Sequence, residues 1–313
     1  MPVKLCPICC SESDFLCSLP SDYLKNELEN NFNKKIPETV EIIDYSIYKC
    51  RQCSLEWADP SVPGSTEFYA WITNQSDYYP TKRWEWDILL DEMKKRNKKQ
   101  ISLLEIGCGN GEFLKTIRQK LIVHGIGLDT SLQSIEKCKK QDLIAYCENI
   151  DLFSQREEYQ NFFDYVVIFH CLEHISNPKD LINSILPLLR DNGKIFISVP
   201  FSPTSYETFL FDPLNNPPHH LTRWNYSSCL QLASEVNLKI KISMPKSKPA
   251  WYRTFSNFEK FCKNKTKKNT FFFTLLHILK NPYEIYNEYY LQKNRVRINN
   301  QTTANVILIE LYK

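Results

Sequence analysis

The sequence predicts an α/β fold: a parallel sheet with helices on both faces, preceded by a small loop-rich module. Three observations carry this. From residue 101 onward short apolar runs alternate with helix-length segments, the pattern of a sheet buried on both sides. Three of only seven glycines, Gly107, Gly109 and Gly111, crowd together where the first of those runs ends. Two Cys-x-x-Cys pairs, Cys6/Cys9 and Cys50/Cys53, bracket the first part of the chain.

In order along the chain, residues 1–60 form the module. Between its cysteine pairs lie a polar stretch, Ser21–Lys35, and an alternating run, Val40–Tyr48, that suits a strand. Pro60, Pro63 and Gly64 mark its end. Residues 61–100 read as an aromatic, helical linker or lid. Trp86, Leu89, Leu90 and Met93 have helical spacing, and Lys94, Lys95, Arg96, Lys98 and Lys99 read as a solvated helix end. The main domain is 101–313. Its strands are expected at Ile101–Ile106, His124–Asp129, Leu143–Cys147, Tyr165–Phe169, Lys194–Val199, Leu238–Ser243 and Val306–Tyr312. Helices are expected at Gly111–Lys120, Ser131–Gln141, Pro178–Arg190 (bent or shortened by Pro187) and Ser227–Val236, with a turn at Asn192-Gly193. A helical insertion, 246–300, precedes the last strand.

Composition bounds the function. The chain has 313 residues, 42% hydrophobic and 24% charged, which excludes whole-chain disorder. Net charge is +3, so no global basic signal argues for nucleic acid. From Lys246 to Lys313, however, there are 13 Lys+Arg against 4 Asp+Glu; Lys260, Lys263, Lys265, Lys267 and Lys268 read as a solvated helix face, with anion or nucleic-acid binding as the alternative. No apolar run is long enough to span a bilayer, and Met1–Cys10 lacks the apolar core of a signal peptide, so a cytoplasmic location is the default expectation.

The segment Leu103-Leu104-Glu105-Ile106-Gly107-Cys108-Gly109-Asn110-Gly111 runs from a buried strand through a glycine turn into a helix. Open α/β sheets bind ligands at that carboxyl end. The spacing is Gly-x-Gly-x-Gly, and Glu105 stands two residues before the first glycine. That carboxylate serves a pyrophosphate poorly and a ligand carrying an ammonium or sulfonium well. The second strand ends Gly127-Leu128-Asp129, placing an acid where it accepts ribose hydroxyls.

These motifs resemble the class I S-adenosylmethionine-dependent methyltransferases. Phe163-Asp164-Tyr165-Val166-Val167, His170-Cys171-Leu172-Glu173-His174-Ile175 and Asn192–Pro200 resemble the family's fourth- and fifth-strand regions. The resemblance implies a Rossmann-like seven-stranded sheet whose last strand inserts antiparallel between strands five and six. It implies S-adenosylmethionine as cofactor, held by Glu105, Gly107, Cys108, Gly109, Gly111 and Asp129, with His170 alongside. The adenine contacts fall on Asn149, Ile150 and Asp151 after the third strand.

Cys6, Cys9, Cys50 and Cys53 offer four soft ligands with two-residue spacers, which suits a structural tetrahedral Zn²⁺; a redox dithiol is the competing reading, and Cys10 is an alternative to Cys9. Such a Cys₄ module ahead of this core resembles enzymes of sugar and polysaccharide modification, including nucleotide-sugar C-methyltransferases, although the further C-terminal domain of the latter is not present in this sequence. The module is expected to orient the aromatic segment over the active site.

A hydroxyl acceptor needs a base of near-neutral pKa. Four of the six histidines fall at two places on the ligand edge: His170 and His174 after the fourth strand, and His219 and His220 after the fifth. His219 or His220 is the preferred base, with His170 nearby; the bland alternatives are a packed His219/His220 pair and a His174 that caps a helix. A sharper variant has His170, Glu173, His174 and one of His219/His220 holding a divalent metal, similar to a cluster in methyltransferases of RNA 3′ ends. Tyr78, Tyr79 and Trp84, with His174, are candidate substrate contacts, or else packing between modules. The resulting expectation is an O-methyltransferase of a small polar acceptor such as a sugar nucleotide or glycan intermediate. The alternatives are an RNA methyltransferase, a sugar C-methyltransferase and a non-catalytic scaffold. Nucleic acid is the less favoured partner, and the insertion is a candidate homodimer surface.

Overall fold

The structure, a computed structural model, describes residues 3–75, 78, 81–96, 98–205, 207, 211–245, 248–266, 270–295, 297–298, 301–302 and 304–313. Strands β1 (Lys4–Leu5), β2 (Glu12–Leu19), β3 (Tyr45–Cys50) and β4 (Glu56–Asp59) form an antiparallel meander. The polar stretch between β2 and β3 folds into helix α1 (Ser21–Phe32), which buries only Leu24 and Leu28, one turn apart on a single face. Asn33, at φ +51°, ends it in the left-handed conformation. The alternation expected from Val40 becomes a strand only at Tyr45.

Helix α2 (Thr66–Thr73) is capped by Ser65, whose hydroxyl accepts from Phe68 N at 3.2 Å. Helix α3 (Trp84–Lys95) buries Trp86, Leu89, Leu90 and Met93 as their spacing predicts, and Glu85 with them. Its basic end is not simply solvated. Arg96 lies over the Tyr165 ring at 5.2 Å and donates to Asn192 O at 2.8 Å, and Lys98 reaches Asp164 at 2.5 Å.

The main sheet then builds up through β5 (Ile101–Ile106), α4 (Glu112–Arg118), β6 (Val123–Asp129), α5 (Leu132–Lys139), β7 (Ile144–Cys147), α6 (Ile150–Phe153), β8 (Phe163–Phe169), α7 (Pro178–Ile185) and β9 (Leu189–Pro200). Pro187 falls in a 3₁₀ turn, Leu186–Leu188, that closes α7 early. The expected turn at Asn192-Gly193 is an irregularity inside β9, where pairing with β8 skips from Leu189 to Lys194. After a two-residue strand, β10 (Thr222–Arg223), come α8 (Tyr226–Glu235), β11 (Lys239–Ser243) and the insertion: α9 (Ala250–Thr266), α10 (Thr270–Lys280), α11 (Pro282–Lys293) and a hairpin of β12 (Arg297–Ile298) and β13 (Gln301–Thr302). Strand β14 (Val306–Tyr312) closes the chain.

The seven-stranded order is β11-β14-β9-β8-β5-β6-β7, with β14 antiparallel to both neighbours. Helices cover both faces. Leu104, Ile106, Val166 and Ile168 pack toward α7 and α8, while Leu103, Tyr165, Val167 and Phe169 pack toward α3, α4 and α5. Each fully buried aliphatic side chain of this kind contributes roughly 1.5–3 kcal/mol. At the amino end of the parallel strands Asp164, fully buried, accepts from Ser102 N at 3.0 Å, Lys98 and Arg190 (3.1 Å). Burial opposes its charge, but these donors win and hold the carboxyl below its ordinary value.

The module is not hung on separately. β10 adds to its sheet beside β4, with Thr222 opposite Trp57 and Arg223 opposite Glu56. Ala58 N donates to Leu221 O (2.8 Å), Asn225 Nδ2 to Ser54 O (2.6 Å), and Arg223 pairs with Glu56 at 2.6 Å. The chain segment that follows His219 and His220 is thereby stitched to the cysteine module. Among the described residues no helix is long and apolar enough to cross a membrane.

Candidate active site

The glycine turn adopts positive φ at all three glycines: +72° at Gly107, +50° at Gly109 and +77° at Gly111. Its amides are largely spoken for. Gly107 N and Cys108 N donate to Leu128 O (2.8 and 3.0 Å), Gly111 N to Cys108 O (2.9 Å), and Gly109 N to Asp129 Oδ2 (2.8 Å). The turn is therefore a rigid wall rather than a phosphate cradle. Asp129 also accepts from Ser131 N at 2.8 Å, and burial pushes its carboxyl up. Parallel pairing puts Glu105 opposite Gly127, so both acids sit at the same sheet edge.

Glu105 is only 4% exposed, and its Oε2 has no hydrogen-bond partner. Burial raises its pKa well above the ordinary value. A buried carboxylate oxygen left bare is costly, and a cationic ligand placed there removes the cost. Asn110 Oδ1, in the turn itself, is a second bare buried oxygen. These groups fit an S-adenosylmethionine: an acid for its ammonium or sulfonium and a second acid for its ribose. The candidate adenine contacts are less engaged with a pocket. Asn149 is exposed and its side chain caps α6, accepting from Leu152 N at 3.0 Å; Ile150 is buried in the core and Asp151 is exposed.

Just past the carboxyl end of β8, His170 takes φ +50°, a conformation rare for a residue with a side chain. The next residue, Cys171, packs on Gly107: a Cβ there would lie 2.6 Å from Cys171 Sγ. His170 Nε2 meets Glu85 Oε1 at 3.0 Å, and Nδ1 stands 3.6 Å from Glu173 Oε1. Burial works against a charge on this ring, but the two carboxylates outweigh it and its pKa is raised. Burial lowers the pKa of Arg83, at the start of α3, and the charges of Glu85, Glu173 and Glu105 oppose that.

The structure brings His174, His219 and His220 into one cluster, with ring centroids 4.5–4.8 Å apart; His219 and His220 stack, and His174 meets both edge-on. His219, the expected base, is 5% exposed and engaged at both nitrogens: Nδ1 with Leu214 O (2.8 Å) and Nε2 with Tyr78 OH (3.0 Å). Burial pushes its pKa down to about 3 and that of His220 well below the ordinary value. Such weak bases, already bonded, suit proton abstraction less well than His170 does. His174 does not act as a helix cap; its Nδ1 bonds to His219 O and lies 3.3 Å from Tyr69 OH. Of the aromatic candidates, Tyr78 joins the histidines, Trp84 packs against the core on the α3 face, and Tyr79 lies outside the described residues, as do Lys246, Lys267 and Lys268. Glu85, Arg83 and Tyr69 escape a sequence reading. Glu85 and Arg83 look like helix-end charges, and Tyr69 is one aromatic among many.

A methyltransferase-domain family profile matches residues 82–241, just over half of the chain. The chain belongs to that family. The ubiquinone biosynthesis O-methyltransferase of Shewanella sp. is 29% identical over 102 residues, covering 31% of this chain and 42% of that protein. Its counterpart in Histophilus somni is 30% identical over 103 residues, covering 31% and 43%. The chain thus spans less than half the length of these curated relatives. Among solved structures, the plantazolicin methyltransferase BpumL, in complex with a pentazolic desmethylPZN analog and SAH, shares the fold at a TM-score of 0.51 and 16% identity, covering 79% of this chain and 90% of that one.

The four module cysteines cluster with their ligand atoms within 4.8 Å of one another. Cys6 Sγ lies 3.6 Å from Cys53 Sγ, and Cys9 Sγ 3.5 Å from Cys50 Sγ. Tetrahedral Zn–S bonds of ~2.3 Å put sulfurs ~3.8 Å apart, so the spacing fits. The two knuckles repeat each other: Cys10 N donates to Cys6 O and Ser54 N to Cys50 O, both at 3.0 Å, and both Cys10 and Ser54 take positive φ. Amides of Ile8, Gln52 and Cys53 point at Cys6 and Cys50 sulfurs (3.4–3.5 Å), as thiolates require. Cys10 itself is exposed and takes no part in the cluster.

Proposed function

We propose that this protein is an S-adenosylmethionine-dependent O-methyltransferase acting on a hydroxyl of a small polar acceptor, with His170 as general base. The observation that carries the reading is the bare, buried Oε2 of Glu105, on the strand that pairs with the one ending in Asp129 and with the one that runs into the strained His170. When bound, S-adenosylmethionine supplies an electrophilic methyl group on a sulfonium. Glu105 would hold its cationic end and Asp129 would accept from its ribose hydroxyls. Glu85 holds the Nε2–H of His170, which leaves Nδ1 to take the proton of the acceptor hydroxyl. The acceptor enters from the side of Tyr69 and Tyr78, aromatic surface of the kind that packs on a sugar ring. The relatives' O-methyltransferase names favour oxygen as the methylated atom. The cysteine cluster holds a structural Zn²⁺ that, through β4 and β10, fixes the loop carrying His219 and His220.

The test is transfer of labelled methyl from S-adenosylmethionine into fractionated extract of the source cells. Label in a low-mass or glycan fraction, with His170→Ala lowering turnover by roughly 10²–10⁴-fold while cofactor affinity holds, supports the reading. Label in RNA, or undiminished turnover in His170→Ala, overturns it.

A further inference from the structure

The histidine cluster carries chemistry that methyl transfer as described leaves unused. Glu173 is 1% exposed, and neither of its carboxylate oxygens has a hydrogen bond. Its Oε1 stands 3.6 Å from His170 Nδ1 and 3.9 Å from His220 Nε2, beyond hydrogen-bond reach of both. A carboxylate buried in that state calls for a positive partner.

The histidines around it are prepared alike. Nδ1 of His174 bonds to the carbonyl of His219, Nδ1 of His219 to the carbonyl of Leu214, and Nδ1 of His220 to Asn215 Oδ1 at 2.9 Å. The Asn215 amide is oriented by its other end, where Nδ2 donates to Glu207. A carbonyl oxygen only accepts, so each Nδ1 carries the hydrogen and each Nε2 has a lone pair; that of His219 accepts from Tyr78 OH at 3.0 Å, a hydroxyl the metal would displace. Metal-ligating histidines are held in this way, by a carbonyl on the nitrogen that does not ligate. One ring nitrogen from each of the three lies within 4.8 Å of the others. A second carboxylate lies nearby: Glu85 Oε1 is 3.0 Å from the His170 ring that Glu173 approaches from its other nitrogen.

We propose that His174, His219, His220 and Glu173 bind a divalent first-row transition metal, a second site separate from the Cys₄ cluster. Three imidazoles and one carboxylate select zinc, cobalt, iron or nickel over magnesium or calcium. The cation stands on the acceptor side of the sheet edge, where an acceptor hydroxyl bound to it ionises more readily. The site follows from its own ligands and holds whatever the acceptor is.

Co²⁺ titration of the metal-stripped full chain separates the two sites by colour, because thiolates give an intense near-ultraviolet charge-transfer band and nitrogen ligands do not. The proposal expects one equivalent of Co²⁺ that raises d–d absorption without the thiolate band. His220→Ala and Glu173→Gln each lose that equivalent while circular dichroism and the thiolate-bound equivalent are kept; Cys53→Ser does the reverse. No thiolate-free equivalent in the wild-type chain, or one that both variants retain, overturns the proposal.

Discussion

Replacing Gly107 with alanine strikes the turn at two points. At φ +72° an alanine pays the left-handed penalty, roughly 1–2 kcal/mol. Its Cβ would also lie 2.6 Å from Cys171 Sγ and 2.8 Å from Cys171 Cβ. Relieving that overlap inside a packed edge costs about 1–3 kcal/mol more. The sum, about 2–5 kcal/mol, divided by a urea slope of ~3 kcal/mol/M, lowers the unfolding midpoint by roughly 0.7–1.7 M. Gly125→Ala is the control. It lies in β6 without positive φ, and its Cβ would meet the end of the Leu114 side chain at 3.1 Å and Val123 Cγ1 at an ordinary 3.8 Å. Urea unfolding followed by tryptophan fluorescence reads both variants. Gly125→Ala should stay within ~1 kcal/mol of the parent chain, as one added methyl against a flexible side chain does. If Gly107→Ala unfolds at the parent midpoint, or Gly125→Ala is the worse of the two, the account of the turn is wrong.

Asp164→Asn removes the charge that Lys98 and Arg190 share, and should cost about 1.5–3 kcal/mol at neutral pH. Because the folded pKa of Asp164 is lowered, that contribution is present above the unfolded carboxyl value of ~3.9 and is lost as pH falls through the folded one. The stability gap between variant and parent should therefore close below about pH 4, in denaturation curves taken across the acid range. Arg223→Ala breaks the 2.6 Å pair with Glu56 that anchors β10, and should lower methyl-transfer turnover while calorimetry finds cofactor affinity within about twofold of the parent, since Asp129 and the glycine turn are untouched. Cys53→Ser should leave purified protein short of one equivalent of zinc by elemental analysis and lower its melting temperature, as loss of a structural site does.

Much of the sheet is legible in the sequence because its parallel strands, covered on both faces, are continuous apolar runs between helices. That Glu105 and Asp129 share one sheet edge is legible for a related reason: both acids sit near the carboxyl ends of adjacent parallel strands. What is not legible depends on contacts distant in sequence. The β4–β10 ladder rests on two residues, too short to leave a pattern. Glu85 has the spacing of a solvent-facing helix charge, and only the packing of α3 against the sheet turns it toward His170. Helix α1 is hidden by a polar composition that offers just Leu24 and Leu28 to the core. Finding histidines at the ligand edge required only sequence, whereas choosing among them required burial and partners. His219 and His220 look alike and prominent beside Pro217 and Pro218, yet both are buried, and the less conspicuous His170 keeps the higher pKa.

The central claim is that this sheet edge binds S-adenosylmethionine through its two acids. Isothermal titration of the full chain with S-adenosylmethionine tests it most directly, with Asp129→Asn beside the parent. The account predicts one site per chain, weakened roughly 10–100-fold in Asp129→Asn by loss of charged hydrogen bonds. No binding to the parent chain, or equal affinity in Asp129→Asn, would contradict it.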